Sequence, residues 1–209
     1  MIRTYENDLP DNFVFPKEIA VDTEAMGLKP HRDRLCVVQL CAQHSKDVTL
    51  VQFKNGRFQA PNLVRLFNDE NILKVFHYAR FDVATIKHHL PNVNMKNIFC
   101  TKVASYLART YTDKHGLKAL VKELLNLELD KSEQTSYWGA CDLSEKQQQY
   151  AAADVLHLCR LKEILTERLK REGRLELARE CHQFIPTVAK LDLLYGEEVD
   201  IFAYATGKK

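Results

Sequence analysis

The feature of this sequence that most restricts its fold is a block of strand-like segments followed by alternating strands and helices. Three early segments are rich in β-branched residues and are predicted strands: residues 17–24 (KEIAVDTE), 35–42 (LCVVQLCA) and 47–53 (DVTLVQF). Predicted helices near 61–69 and 79–90 then enclose a predicted strand near 73–77. This order predicts an α/β domain with a mixed central sheet flanked by helices.

The second half of the chain is predicted to be mostly helical. A long helix is expected to begin at a capping box, with Ser144 as N-cap and Gln147 at N3, and to run to Gly173. A short strand and three further helices are predicted near residues 96–100, 101–109, 116–126 and 174–195.

Length and composition favour one domain spanning residues 1–209. Of the 209 residues, 45% are hydrophobic and 28% are charged, which suffices for one sizeable core but not for two large domains. The formal net charge of +2 neither requires nor excludes a nucleic-acid partner, so any basic surface must be local.

Cysteine spacing and the N-terminal segment bear on the compartment. The six cysteines form no CxxC pair, which argues against a thiolate zinc site. The segment MIRTYENDLPDNF is polar, and no apolar run approaches the roughly 20 residues that a membrane helix requires. We therefore expect a cytoplasmic protein with reduced, mostly buried thiols and no membrane partner.

Two carboxylates lie at the end of the first predicted strand. Because side chains alternate along a strand, Asp22 and Glu24 share one face, while Ile19 and Val21 share the other. The two acids therefore point in the same direction. The alternative for this pair is the solvated end of a strand.

A third acid, Asp82, begins a predicted helix that follows a buried strand. At helical spacing it shares a face with Ile86 and Leu90, which are expected to point inward. A carboxylate on a buried face is costly unless a partner compensates it. The alternative is a hydrated aspartate in a first helical turn, where the helix dipole favours it.

The most specific local pattern is Tyr150 followed by Asp154, one turn apart on the long predicted helix. Their face continues through apolar residues and so turns towards the core: Leu158, Leu161 and Leu165. A phenol and a carboxylate at the end of such a face indicate a functional pair. The alternative is a buried, stabilising Tyr–Asp hydrogen bond.

These four carboxylates would repel one another if they met at one edge of the sheet. Hard divalent cations resolve such a conflict, because Mg²⁺ and Mn²⁺ prefer carboxylate oxygens. Two ions about 4 Å apart can stabilise both the attacking and the leaving oxygen of a phosphoryl displacement. A tyrosine hydroxyl one turn from a ligand suits the orientation of the attacking water.

Three segments, in this order along the chain, resemble the exonuclease motifs of the DEDDy superfamily: VDTE, HYARFD and YAAAD. The last motif of that superfamily is YxxxD, which YAAAD matches. Four longer segments resemble the catalytic domain of ribonuclease D in particular: DRLCVVQLC, TYTDKHGLKALVKELL, DKSEQTSYW and YAAADVLHL. The match covers about residues 10–170 and leaves a helical C-terminal extension at about 174–200. That extension is too short for the C-terminal helical nucleic-acid-binding domains of bacterial ribonuclease D.

The resemblance implies a ribonuclease H-like fold and five catalytic residues. Asp22, Glu24 and Asp154 would hold the first cation. Asp22 and, partly through water, Asp82 would hold the second, beside the leaving 3′ oxygen. Tyr150 would orient the attacking water.

The resemblance also implies contacts to a nucleic-acid 3′ end. Leu28 would act as an apolar wedge between the last bases, Phe81 would pack against the terminal nucleotide, and Arg80 would reach a phosphate. A core role for Leu28 and Phe81 and a surface role for Arg80 are the alternatives. The full set of implied contacts is Met26, Gly27, Leu28, His77, Tyr78, Arg80 and Phe81.

The function expected from the resemblance is a 3′→5′ exoribonuclease that releases nucleoside 5′-monophosphates from single-stranded RNA ends, including those of tRNA precursors. The alternatives are a DEDDy DNA exonuclease and a catalytically silent nucleic-acid-binding module. Homo-oligomerisation is left open. Two positions depart from the family pattern, because Cys100 and Tyr137 stand where aspartates are expected.

Overall fold

The computed structural model describes residues 1–129, 133, 135–196, 198–199 and 201–203. Within these residues the chain forms a six-stranded sheet in the order β1-β4-β3-β2-β5-β6. The strands are β1 (Ile2–Glu6), β2 (Glu18–Ala25), β3 (Leu35–Ala42), β4 (Val48–Gln52), β5 (Leu73–Phe76) and β6 (Ile98–Cys100). The helices are α1 (Pro61–Asn68), α2 (Ala79–His89), α3 (Thr101–Ala108), α4 (Leu117–Leu125), α5 (Glu145–Leu156), α6 (Leu158–Arg171) and α7 (Leu175–Tyr195).

The sheet is mixed, as predicted. Strands β2, β3 and β4 pair antiparallel, whereas β1 with β4, β5 with β2 and β6 with β5 pair parallel. Helices cover both faces, and each face has its own apolar core. One core packs α1, α2 and part of α7 against the sheet, and the other packs α3 to α6 with the start of α7. The expected mixed α/β architecture is therefore confirmed.

Strand β1 was not predicted from the sequence. Its residues Ile2–Glu6 are exposed or only half-buried, so they lack the hydrophobic alternation that identifies a strand. The strand exists because its backbone pairs with β4 at the edge of the sheet, in the register Ile2 with Val48 and Glu6 with Gln52. Backbone hydrogen bonding to β4 thus forms a strand that the sequence of this segment does not predict.

The predicted long helix is broken in two at His157. Helix α5 ends at Leu156 and α6 begins at Leu158, while the break residue has φ −106° and ψ −7°. Neither proline nor glycine marks this position, so helix propensity gives no signal there. The predicted ends of the segment are confirmed: Ser144 and Gln147 form a capping box, and Gly173 has φ +66°.

Other sequence expectations have different outcomes. Four cysteines are buried, as expected, whereas Cys141 is exposed. In the described part of the chain, no helix combines the length and apolarity needed to cross a membrane. The motif segment DKSEQTSYW lies partly outside the described residues. Position 200, at the end of the predicted extension, lies outside them as well.

Candidate active site

The site lies where β2 approaches its end and α5 crosses the sheet. Asp22 and Glu24 share one face of β2, and α5 brings Asp154 over the same face. One carboxylate oxygen from each of these three residues lies within 4.8 Å of the other two. Three acids from two distant segments of the chain therefore meet in space.

Small residues let α5 lie close to the sheet. Ala151 and Ala152 are buried against the strands, and the capping box at Ser144 fixes where the helix begins. Tyr150, one turn before Asp154, lies with its ring centroid 6.0 Å from that of Trp138. The Tyr–Asp pair thus faces the acids of β2.

Asp82, in the first turn of α2, lies near enough for its charge to act on Asp22, but it is not one of the three acids whose oxygens lie within 4.8 Å of one another. The pairing of β2 with β5 ends at Ala20, so the part of β2 that contains Thr23 has no β5 partner. Asp82 is 3% exposed and accepts a hydrogen bond of 2.6 Å from the Thr23 hydroxyl. The predicted inward face of α2 is confirmed, since Ile86 and Leu90 are also buried.

Burial and mutual repulsion shape the electrostatics of the four acids. Burial, followed by the charges of Asp82, Asp154 and Glu24, raises the pKa of Asp22 well above its usual value. Burial and the charges of Asp154 and Asp82 raise the pKa of Glu24 to about 9. Burial raises the pKa of Asp82 to about 7, although hydrogen bonds from Thr23 oppose the shift.

This electrostatic arrangement fits a divalent cation. Four acids crowded into one partly dry place disfavour their own ionisation, and a cation bound among them would reverse that preference. The donor set consists of carboxylate oxygens, which suit Mg²⁺ and Mn²⁺ rather than a soft metal. The cluster formed by Asp22, Glu24 and Asp154 is therefore able to bind a hard metal ion.

A cleft of about 560 Å³ opens above the acids. Leu28 is 81% exposed at its wall, which excludes the alternative of a core leucine. Tyr78 has a left-handed backbone with φ 66°, which is uncommon for a bulky residue. The predicted substrate-contacting residues that line the cleft are Met26, Gly27, Leu28, His77, Tyr78 and Phe81.

Arg80 differs from the other predicted contacts. It is not among the residues that line the cleft, and its guanidinium donates two hydrogen bonds of 2.6 Å to the carboxylate of Asp192. Asp192 lies on α7 and has a side chain that is 2% exposed. The Arg80 side chain remains 32% exposed beside this pair, so its predicted contact to a phosphate stays a prediction.

Several residues at the cleft were not singled out in the sequence. Lys102 and Lys118 place positively charged ammonium groups at the cleft wall. Nζ of Lys102 lies 3.9 Å from the centroid of the Tyr78 ring. The Thr101 hydroxyl and Nδ1 of His77 share a hydrogen bond of 2.9 Å at this wall. No spacing rule marks these lysines, because they come from the starts of α3 and α4, which only the fold brings together.

The fold and its acidic cleft define a nuclease-type α/β domain. The chain belongs to the 3′–5′ exonuclease family, because the profile of that family matches residues 8–170. The expected exonuclease family is therefore confirmed. Ribonuclease D of Gluconacetobacter diazotrophicus is 37% identical over 161 residues, which are 76% of this chain but only 39% of that protein. This chain thus spans well under half of the length of that curated relative.

Two solved structures resemble the whole chain. Brucella melitensis NrnC bound to pGG is 48% identical, with a TM-score of 0.91 and 98% of each chain covered. Brucella melitensis NrnC with bound Mg²⁺ is 47% identical, with a TM-score of 0.90, 98% of this chain and 99% of that chain covered. The expected ribonuclease H-like fold and the resemblance to ribonuclease D are confirmed.

Proposed function

We propose that this protein is a two-metal 3′→5′ exoribonuclease that releases nucleoside 5′-monophosphates from single-stranded RNA ends. The observation that carries the proposal is the meeting of Asp22, Glu24 and Asp154, whose oxygens lie within 4.8 Å of one another beneath an open cleft. Residues 1–209 would act as one catalytic domain, with α7 as its helical extension.

The carboxylates would hold two divalent cations, Mg²⁺ or Mn²⁺. Asp22, Glu24 and Asp154 would form the first set of ligands, and Asp22 with, partly through water, Asp82 would form the second. When bound, such a pair of ions stabilises the charge on the attacking and leaving oxygens. The similarity to an NrnC that has been solved with Mg²⁺ supports this assignment.

Tyr150 would orient the attacking water without removing its proton. Burial, the charge of Asp154 and a hydrogen bond with Asp154 raise the pKa of Tyr150, so its phenol stays neutral near pH 7. A neutral hydroxyl both donates and accepts hydrogen bonds. It therefore fixes the position of a water molecule beside the phosphorus that the water attacks.

The cleft wall would receive the 3′ end of the RNA. Leu28 projects into solvent at the rim and suits insertion beside a base, while Phe81 offers an aromatic surface for the terminal nucleotide. Lys102 and Lys118 would balance the charge of the incoming phosphates. A 48% identical relative solved with pGG bound supports a short single-stranded RNA as the substrate. Precursors of tRNA are a further candidate.

Paired substrates test the choice of RNA. We expect the purified protein with Mn²⁺ to shorten a 5′-labelled single-stranded RNA stepwise from its 3′ end, and to act more slowly on DNA of the same sequence. Gel analysis of the ladder and chromatography of the released mononucleotides are the measurements. Faster degradation of the DNA would identify a DNA exonuclease. RNA binding without any cleavage in Mn²⁺ or Mg²⁺ would identify a silent binding module.

Tyr150→Phe tests the role of the phenol. Removing one oxygen deletes the contact to water but no metal ligand, so we expect kcat to fall by about 10²-fold. Mn²⁺ affinity, measured by isothermal titration calorimetry, should stay within about threefold of the original. Tyr195→Phe is a matched control, because that tyrosine is 59% exposed on α7. Equal kcat in Tyr150→Phe and the original protein would rule out this role.

A further inference from the structure

Gln39 on β3 is a buried amide that satisfies none of its hydrogen-bonding capacity. Its side chain is 0% exposed, and neither Oε1 nor Nε2 has a hydrogen-bond partner among the described residues. Buried side-chain amides nearly always have partners, because leaving one unpaired destabilises the folded state. A residue kept at this cost needs an explanation.

The position of Gln39 in the sheet explains why an unpaired amide is kept there. In the antiparallel pairing of β2 with β3, Gln39 stands directly opposite Asp22. Side chains of directly opposite residues lie on the same face of a sheet, with Cβ atoms about 4.5–5.5 Å apart. The amide is therefore a neighbour of a carboxylate that belongs to the acidic cluster.

The nearest other neighbours of Gln39 on this face are two apolar side chains and a thiol. Val37 and Cys41 flank it along β3, and Leu50 stands opposite it on β4. These three residues belong to one apolar core together with Ala151 and Ala152 of α5, which packs over this face. Glu24 and Gln52 stand on the same face one pair further along, and Gln52 already bonds to the carbonyl of Ala140. Asp22 is therefore the directly opposite group able to accept a hydrogen bond from the amide.

We propose that Gln39 is a positioning residue for Asp22, a role that rests on the proposed function. When a divalent cation is bound and Asp22 is ionised, Nε2 of Gln39 donates a hydrogen bond to the carboxylate oxygen that faces β3. The other oxygen is then aimed at the cation. Carboxylates that bind metals are commonly held by such outer hydrogen bonds, and bonds to an ionised acceptor are the stronger kind. Gln39, whose amide has no partner among the described residues, would thus gain one when the cation binds.

Gln39→Met tests this role, because methionine has nearly the same length and shape but no amide. We expect the Mn²⁺ affinity, measured by isothermal titration calorimetry, to fall by about 10–100-fold. The unfolding temperature in EDTA should stay the same or rise, because an unpaired buried amide has been removed. A residue with a merely structural role would not produce these two changes together.

Gln52→Met is the matched control on the neighbouring strand. Gln52 is also buried, but its Nε2 donates to the carbonyl of Ala140 at 2.9 Å. Its replacement should lower the unfolding temperature in EDTA and leave Mn²⁺ affinity near that of the original protein. The two glutamines are therefore expected to respond in opposite ways.

The outcomes separate this inference from the function on which it rests. If the original protein binds Mn²⁺ and Gln39→Met binds it equally well, the role of Gln39 is wrong while the metal site stands. If Gln39→Met is destabilised like Gln52→Met, or fails to fold, Gln39 is a core residue and the inference is overturned. If the original protein binds neither Mn²⁺ nor Mg²⁺, the proposed function itself fails.

Discussion

Asp154→Asn is expected to reduce Mn²⁺-dependent RNA hydrolysis on the order of 1,000-fold or more. The substitution removes one carboxylate from a group of three whose oxygens lie within 4.8 Å of one another. Loss of a direct ligand should exceed the roughly 10–100-fold effect typical of losing a group that only supports a ligand. The measurement is the rate of release of mononucleotides from a 5′-labelled RNA, at saturating Mn²⁺.

Two comparisons make the Asp154→Asn result specific. Asp142→Asn should retain full activity, because the Asp142 side chain is 88% exposed and only pairs with Lys54 at the surface. RNA binding in EDTA should be nearly unchanged in Asp154→Asn, because the cleft wall is intact. An unchanged rate of hydrolysis in Asp154→Asn would place the activity outside the acidic cluster.

The metal-free protein is expected to lose stability as pH rises from about 5 to 9. The folded-state pKa of Glu24 is raised from its usual 4.5 to about 9, and that of Asp82 from 3.8 to about 7. Between those limits the folded state holds protons that the unfolded state has released. Since the folded state then binds more protons than the unfolded state, the free energy of unfolding falls as pH increases.

Mn²⁺ should reverse this loss, because the cation takes the place of the protons. The gain in unfolding temperature on adding Mn²⁺ should therefore be larger at pH 8 than at pH 5.5, where protons compete for the same oxygens. Thermal unfolding in EDTA and in Mn²⁺ across this range is the measurement. Asp154→Asn should show a weaker dependence on pH in EDTA, because it removes one of the repelling charges. Equal Mn²⁺ effects at both pH values would contradict the coupling.

The sequence was most informative where function imposes a short pattern. Asp22 with Glu24 is fixed by the alternation of a strand, and Tyr150 with Asp154 is fixed by one helical turn, so both pairs were predictable locally. The sequence alone left their convergence as an inference, because the distance between β2 and α5 depends on how the helix packs. The resemblance to a family supplied that link.

Other features depend on tertiary contacts and have no local signal. The break at His157 lies within a segment of good helix formers, and β1 exists only through its pairing with β4. The Arg80–Asp192 pair joins residues 112 positions apart in the chain. The unpaired state of Gln39 is likewise visible only once its surroundings are known.

The pairing of Arg80 with Asp192 changes how the last helix should be regarded. Arg80 immediately precedes Phe81 and Asp82, so α7 stabilises the turn that carries the proposed stacking surface and one of the proposed metal ligands. Cutting the chain before α7 would remove Asp192, which pairs with the Arg80 guanidinium, and would expose the apolar side of α2, which packs on Ile185 and Ala189. A minimal active fragment would therefore have to keep α7, even though the matched family profile ends at residue 170.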